Sequence, residues 1–259
     1  MTAVLQVEGV CKRFGGVVVA DGVTISLAAG EIVGLIGPNG AGKTSLFNLI
    51  SGVVSPDAGR IRLHGEPIER LRMDARGRLG LGRTWQQARA FASLSVVDNL
   101  LVSACHYPAE SLARSLFRAT FVRQAEATLR REALALLERI GLAAYADRPS
   151  TALSYGQQKL VGIARALMGG GKCLLLDEPM AGVEGRTYAV IRQIVQEEAA
   201  SGAAVCIVEH NVAFIRDICS RGIFMAGGRV LASGLLPGLM QDPELTAIYF
   251  GATRDTRDV

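Results

Sequence analysis

The sequence has no uninterrupted apolar run of the ~20 residues that a membrane-spanning helix needs, although its mean hydropathy is positive at +0.28. The best stretch, residues 222–240, is broken by Arg229, Pro237 and several glycines. It reads instead as two short strands around a Gly227-Gly228 turn. The start shows no basic stretch followed by a long apolar core, so no secretion signal is expected. There is no C-x-x-C pair, and the five cysteines (Cys11, Cys105, Cys173, Cys206, Cys219) are scattered. That argues against zinc or a disulfide framework and for buried thiols in a reducing cytoplasm. Charge of one sign is also scarce, because 28 basic against 24 acidic residues leave only +4. So small an excess does not imply a nucleic-acid partner. Internal repeats and low-complexity segments are missing too. What remains is an ordinary globular composition, 49% hydrophobic and 20% charged over 259 residues, enough for one large α/β domain or two small ones.

Residues 4–10 and 17–27 cluster β-branched side chains on either side of Gly15-Gly16, the pattern of two strands joined by a turn. A short apolar strand at 31–36 runs into a glycine-rich loop, and residues 44–50 have helical composition, ended by Ser51-Gly52. A turn at 55–59 precedes a strand at 60–63. From about 98 to 140 the chain is rich in Ala, Leu, Arg and Glu. Over 125–140, Leu129, Ala133, Leu136, Leu137 and Ile140 recur on one helical face. A strand–helix rhythm then returns, with strands expected at 172–176 and 204–208 and helices at 187–200 and 211–220. Alternating strands and helices predict a mostly parallel sheet covered on both faces, with a helical insertion.

The loop Gly37-Pro38-Asn39-Gly40-Ala41-Gly42-Lys43-Thr44 fits G-x-x-x-x-G-K-[ST] completely. Its glycines let the main chain curl so that N–H groups point at phosphate oxygens. The following helix turns its positive end toward the same charge. Lys43 reaches the β- and γ-phosphates, and the Thr44 hydroxyl is a ligand for Mg²⁺. The run Lys172-Cys173-Leu174-Leu175-Leu176-Asp177-Glu178-Pro179 is an apolar strand ending in two acids. Asp177 is expected to hold Mg²⁺ through its water shell, and Glu178 to polarise an attacking water. Leu153-Ser154-Tyr155-Gly156-Gln157-Gln158 opens a helix through Met168. Ser154 is a suitable N-cap there, and Ser and Gly at a helix start also make an anion site.

Together these motifs resemble the ATP-binding cassette (ABC) family over nearly the whole chain. They follow that family's order of phosphate loop, Gln loop, signature, acidic strand and switch histidine. The LSGGQ signature stands here as Leu153-Ser154-Tyr155-Gly156-Gln157. The resemblance implies an α/β fold: a RecA-like P-loop NTPase core with an N-terminal antiparallel β subdomain and an inserted α-helical subdomain. It implies ATP and Mg²⁺ as ligands and two such domains paired head to tail. Ser154, Gly156 and Gln157 of one would then face the γ-phosphate gripped by Lys43 of the other. Residue by residue, it implies that Phe14 stacks on adenine, although a core role is an equal reading of that position. The loop from Gly37 to Thr44, with Ser45, holds the phosphates. Gln86, in Arg83-Thr84-Trp85-Gln86, touches Mg²⁺ beside Thr44 and Asp177 and senses a membrane partner. His210, in Val208-Glu209-His210, contacts the γ-phosphate, so that Glu178, His210 and Gln86 form the catalytic set. His64 and His106 receive no role. One departure is Glu184, where the family has Asp or Asn.

The resemblance narrows to the larger ATPase subunit (LivG type) of branched-chain amino acid importers. The segments that carry this are Arg83-Thr84-Trp85-Gln86, Ser154-Tyr155-Gly156-Gln157-Gln158, Val208-Glu209-His210-Asn211, and Asp242-Pro243-Glu244-Leu245 through Tyr249-Phe250-Gly251. Importers of urea or amides share these motifs, and the lipopolysaccharide-export ATPase shares the core ones. A soluble ABC ATPase of DNA or ribosomes fits less well, because two cassettes in one chain, coiled coils and zinc modules are all missing. The domain expected is 4–251, with a core of 4–90 and 166–235, a helical subdomain of 91–165, a C-terminal segment of 236–251 and a polar tail of 252–259. The implied partners are a second ABC ATPase subunit, identical or paralogous, and transmembrane permease subunits, with a periplasmic solute-binding protein acting indirectly. The implied place is the cytoplasmic face of the bacterial inner membrane.

Overall fold

The structure is a computed structural model that describes residues 3–85, 90–105 and 119–250, with side chains for all of these but 119–121 and 250. Among them, strands β1 (Ala3–Phe14), β2 (Val17–Ala28), β4 (Ala58–Leu63) and β5 (Glu66–Pro67) form an antiparallel sheet in the order β2-β1-β4-β5. A second sheet has the order β10-β9-β3-β8-β7-β6, built from β3 (Ile32–Ile36), β6 (Leu81–Arg83), β7 (Cys173–Asp177), β8 (Ala204–Val208), β9 (Arg221–Ala226) and β10 (Arg229–Leu235). All its pairings are parallel except β9–β10. This is the mixed α/β arrangement expected from the strand–helix rhythm.

The central strands read as continuous apolar runs because both of their faces are covered. On β7, Cys173 and Leu175 point into one core while Leu174 and Leu176 point into the other. On β8, Ala204, Cys206 and Val208 alternate in the same way with Val205 and Ile207. The first core lies between the two sheets and is filled by helix α1 (Lys43–Ser51) through Leu46, Phe47, Leu49 and Ile50. The second core receives helices α3 (Val96–Leu101), α4 (Ala119–Arg139), α5 (Tyr155–Met168), α6 (Gly185–Ala200) and α7 (Val212–Ile218). Ala133, Leu137 and Ile140 of the predicted helical face are fully buried there, with Leu136 packed against them.

Three elements depart from the sequence expectation. Helix α2 (Met73–Arg78) and the short strand β6 fall where no element was predicted. The predicted hairpin forms, with both Gly227 and Gly228 at positive φ, but residues after it turn into helix α8 (Leu236–Gln241) rather than continuing as strand. Pro237 suits that helix because a first-turn proline gives up no needed N–H. Helix α9 (Pro243–Phe250) follows. Arg221 on β9 ties the two sheets together, donating to Glu31 at 2.6 Å and to the Ser26 carbonyl at 2.5 Å. No helix among the described residues is long and apolar enough to cross a membrane.

Candidate nucleotide site

Ligands of open parallel sheets bind beyond the C-terminal ends of the strands. Three adjacent strands end together here. β3 runs into the glycine loop, β8 into Glu209 and His210, and β7 into Asp177 and Glu178. The loop needs glycine at two points for want of space and for φ. A Cβ at Gly37 (φ 148°) would lie 1.9 Å from the Met225 carbonyl oxygen, and one at Gly42 (φ 97°) 2.4 Å from that of Val19. Glycine therefore allows the loop to press against β9 and β2.

Lys43 is buried, and its Nζ donates to the carbonyls of Gly37 and Pro38 at 2.7 and 2.8 Å. Its pKa is lowered, chiefly by burial, while the negative charges of Glu178 and Asp177 work in the opposite direction. The phosphate-loop lysine and the acidic strand end thus lie within electrostatic reach of one another. No side chain caps the first turn of α1, so that turn presents uncapped N–H groups and the positive end of the helix dipole. Thr44 is exposed there and Ser45 half-buried.

Asp177 is held from two sides. Its N–H donates to Thr84 Oγ1 at 3.0 Å. Arg83, on β6, faces its carboxylate at 3.6 Å, with both side chains buried. Burial raises the Asp177 pKa, and the neighbouring Glu178 raises it further, against the pull of Arg83. Asp177 Oδ1 is buried with no hydrogen-bond partner among the described residues. A buried carboxylate oxygen left so is costly unless a cation or its water shell satisfies it. With the Thr44 hydroxyl, it offers the hard oxygen donors that suit Mg²⁺.

Glu178 adopts φ 47°, a left-handed conformation rare outside glycine. Its N–H donates to Val208 O at 2.8 Å, and its carboxylate lies 3.3 Å from His210 Nε2. Glu209 is buried and accepts from three main-chain N–H groups: Met180 at 2.5 Å, His210 at 2.9 Å and Asn211 at 3.1 Å. It thereby fastens the loop after Glu178 to the main chain at His210. Ser154 caps α5 in a reciprocal box, accepting from Gln157 N at 3.3 Å while Gln157 Oε1 accepts from Ser154 N at 2.9 Å. The capping role foreseen for Ser154 is present, and its side chain is exposed. Phe14, at the end of β1, is 51% exposed with Lys12 Nζ 5.4 Å from its ring centre. Glu184 is the exposed N-cap residue of α6. His64 takes a tight turn between β4 and β5 at φ 52°. Gln86 and His106 lie outside the described residues.

Three buried polar residues around the site were not foreseen: Arg83, Lys159 and Glu209. Each is an ionisable residue beside or within an apolar run, and only the paired strands show what it faces. Position alone gave a hint for Arg83 and Glu209, each next to a motif residue.

The family model described as ABC transporter matches residues 20–181. The chain is 33% identical over 248 residues to the high-affinity branched-chain amino acid transport ATP-binding protein LivG of Escherichia coli (strain K12), covering 95% of this chain and 97% of that one. It is 35% identical over 251 residues to the lipopolysaccharide export system ATP-binding protein LptB of Acidithiobacillus ferridurans, covering 97% and 98%. Among solved structures, the ADP conformation of MJ1267, an ATP-binding cassette of an ABC transporter, superimposes with a TM-score of 0.83 at 32% identity. That match covers 97% of this chain and all of the other.

Proposed function

This chain belongs to the ABC transporter family of ATP-binding cassettes and is an ATPase, and from that premise we propose that it energises uptake of branched-chain or related amino acids as a peripheral subunit at the inner membrane. The observation that carries the proposed site is the convergence of Lys43, Asp177, Glu178 and His210 at the ends of three neighbouring strands. ATP lies with its phosphates against the glycine loop and the first turn of α1, and Phe14 receives the adenine. Lys43 exchanges the carbonyls of Gly37 and Pro38 for phosphate oxygens. Thr44 and Asp177, with Gln86, would hold Mg²⁺, which would supply neutralisation of phosphate charge. Glu178 orients the attacking water, and His210, beside it, holds the γ-phosphate. Positioning and charge stabilisation do most of the work in such a transfer. Ser154, Gly156 and Gln157 complete the site of a second cassette, identical or paralogous, so the working unit is a pair.

The solute is read elsewhere, by permease and periplasmic binding subunits. The C-terminal segment from Asp242 to Gly251 favours the amino-acid importer reading, while the similar identity to an export ATPase supports a second transport role. Two measurements test the proposal. Affinity purification from membranes should recover permease subunits with the chain, and amino acid delivered to their binding protein should raise ATP turnover. Recovery of ribosomes or DNA, or stimulation only by a lipopolysaccharide substrate, would reject it. Replacing Lys43 by Ala should weaken ATP binding itself, and unaltered affinity would remove Lys43 from the phosphate site.

A further inference from the structure

Lys159 lies on α5, two residues beyond the signature, and is 5% exposed. Burying an ammonium is costly, so its partners carry information. Its Nζ donates to the main-chain carbonyl of Glu178 at 2.9 Å and sits 5.6 Å from the centre of the Tyr155 ring. Glu178 is also the residue with the strained left-handed backbone at φ 47°. Its peptide planes are gripped on both sides of Cα, by Val208 O accepting from its N–H and by Lys159 donating to its carbonyl. Fixing φ and ψ fixes the Cα–Cβ direction, and so where the carboxylate can point. It points at His210, 3.3 Å away.

A second contact reinforces the first. Tyr155 and Lys159 are four residues apart and share a helix face. The Tyr155 ring packs against Gly182, where a Cβ would come within 3.0 Å of ring Cε1. The start of α5 therefore touches the loop after β7 at two points, Glu178 and Gly182. Ser154 and Gly156 are on the same helical turn as Tyr155.

Resting on the reading of Glu178 as the residue that orients water, we infer that Lys159 is a positioning residue for hydrolysis. Its ammonium holds the left-handed turn at Glu178 and ties that turn to the helix bearing Ser154 and Gly156. A shift of the signature helix then moves the water-orienting carboxylate of the same chain.

The test uses the full-length chain, with steady-state ATP turnover and equilibrium binding of a fluorescent ATP analogue. Variants are Lys159→Met, which keeps the length of the stem but not the donor, and Lys159→Arg, which keeps a charged donor. Glu178→Gln is the reference. Misplacement of a catalytic group by ~1 Å costs up to about 10²-fold, so Lys159→Met should lower kcat by about tenfold or more. KM and analogue affinity should stay within about twofold, because ground-state binding is untouched. Lys159→Arg should restore most of the turnover. Parental kcat in Lys159→Met while Glu178→Gln is inactive overturns the inference and leaves the site reading standing. Loss of analogue binding together with turnover overturns it as well, by making Lys159 a folding residue only. So does failure of Lys159→Arg to recover what Lys159→Met loses. Parental turnover in Glu178→Gln would instead overturn the underlying role of Glu178.

Discussion

Replacing Arg76 by Met should strongly destabilise the protein, because it strips a buried guanidinium from four main-chain carbonyls. Arg76 on α2 is 1% exposed, and its guanidinium donates to four main-chain carbonyls. Two, Leu49 at 2.6 Å and Ile50 at 2.7 Å, belong to the last turn of α1; the others are Leu71 at 2.9 Å and Glu69 at 3.0 Å. The end of α1 has carbonyls without helical partners and a negative dipole end, and a buried cation answers both. Gly52, which ends that helix at φ 82°, leaves the room, since a Cβ there would meet Arg76 Nε at 2.7 Å. Each hydrogen bond to a charged group is worth roughly 1.5–3 kcal/mol. The four do not add, because burying the guanidinium has its own cost, which also lowers its pKa. What decides the outcome is the set of buried carbonyls left bare. Leaving a buried acceptor unpaired costs roughly 1–3 kcal/mol, so even one or two bare carbonyls take a large share of the ~5–15 kcal/mol that holds a typical domain. Urea unfolding should show Arg76→Met with a lower midpoint and an unchanged slope. Arg76→Lys should fall between the two, since one ammonium cannot span both segments. A midpoint for Arg76→Met corresponding to less than about 1 kcal/mol would refute the reasoning.

Two further outcomes follow from ionisable groups. Burial raises the Glu31 pKa, but its hydrogen bonds from Arg221 and the Ala28 N–H, and the Arg221 charge, bring it below the ordinary 4.5. A carboxylate with a depressed folded-state pKa stabilises above its unfolded value and loses that stabilisation as pH falls through the folded one. Arg221→Met should therefore cost about 1–3 kcal/mol near neutral pH and progressively less in acid, by urea titration at several pH values; an equal loss at every pH would contradict the pairing. Burial pushes the Cys173 and Cys219 thiols up to about 12, and Cys206 still higher. A thiolate-selective reagent should then label only Cys11 and Cys105 in the native chain, and all five cysteines after unfolding; native labelling of Cys206 would show that the core opens.

Much of the architecture was legible because its signals are local. The strand into the glycine loop, the acidic strand and the amphipathic 125–140 segment each carry a pattern visible within their own residues. Strand β6 carries none, since Leu81–Arg83 is a strand by virtue of pairing with β7. Helix α8 has an apolar composition without period, and a first-turn proline says little until the preceding hairpin fixes where the strand stops. The motifs of the proposed site stand out in the sequence for the same reason as the strands. Arg83, Lys159 and Glu209 do not, because each owes its importance to what it faces across the fold. Asp177, the Glu178 carbonyl and the switch-loop N–H groups are remote from them or invisible in a sequence. The buried Arg76 is the same case, since nothing in Met73–Arg78 distinguishes the inner arginine from the outer one.

The central claim is that this chain hydrolyses ATP with Glu178 orienting the water beside a phosphate grip centred on Lys43. Single-turnover hydrolysis by Glu178→Gln, measured alongside its ATP affinity, tests it most directly. The account predicts that the chemical step slows by about 10²-fold or more while ATP binds as tightly as to the parent. Hydrolysis at the parental rate would contradict it.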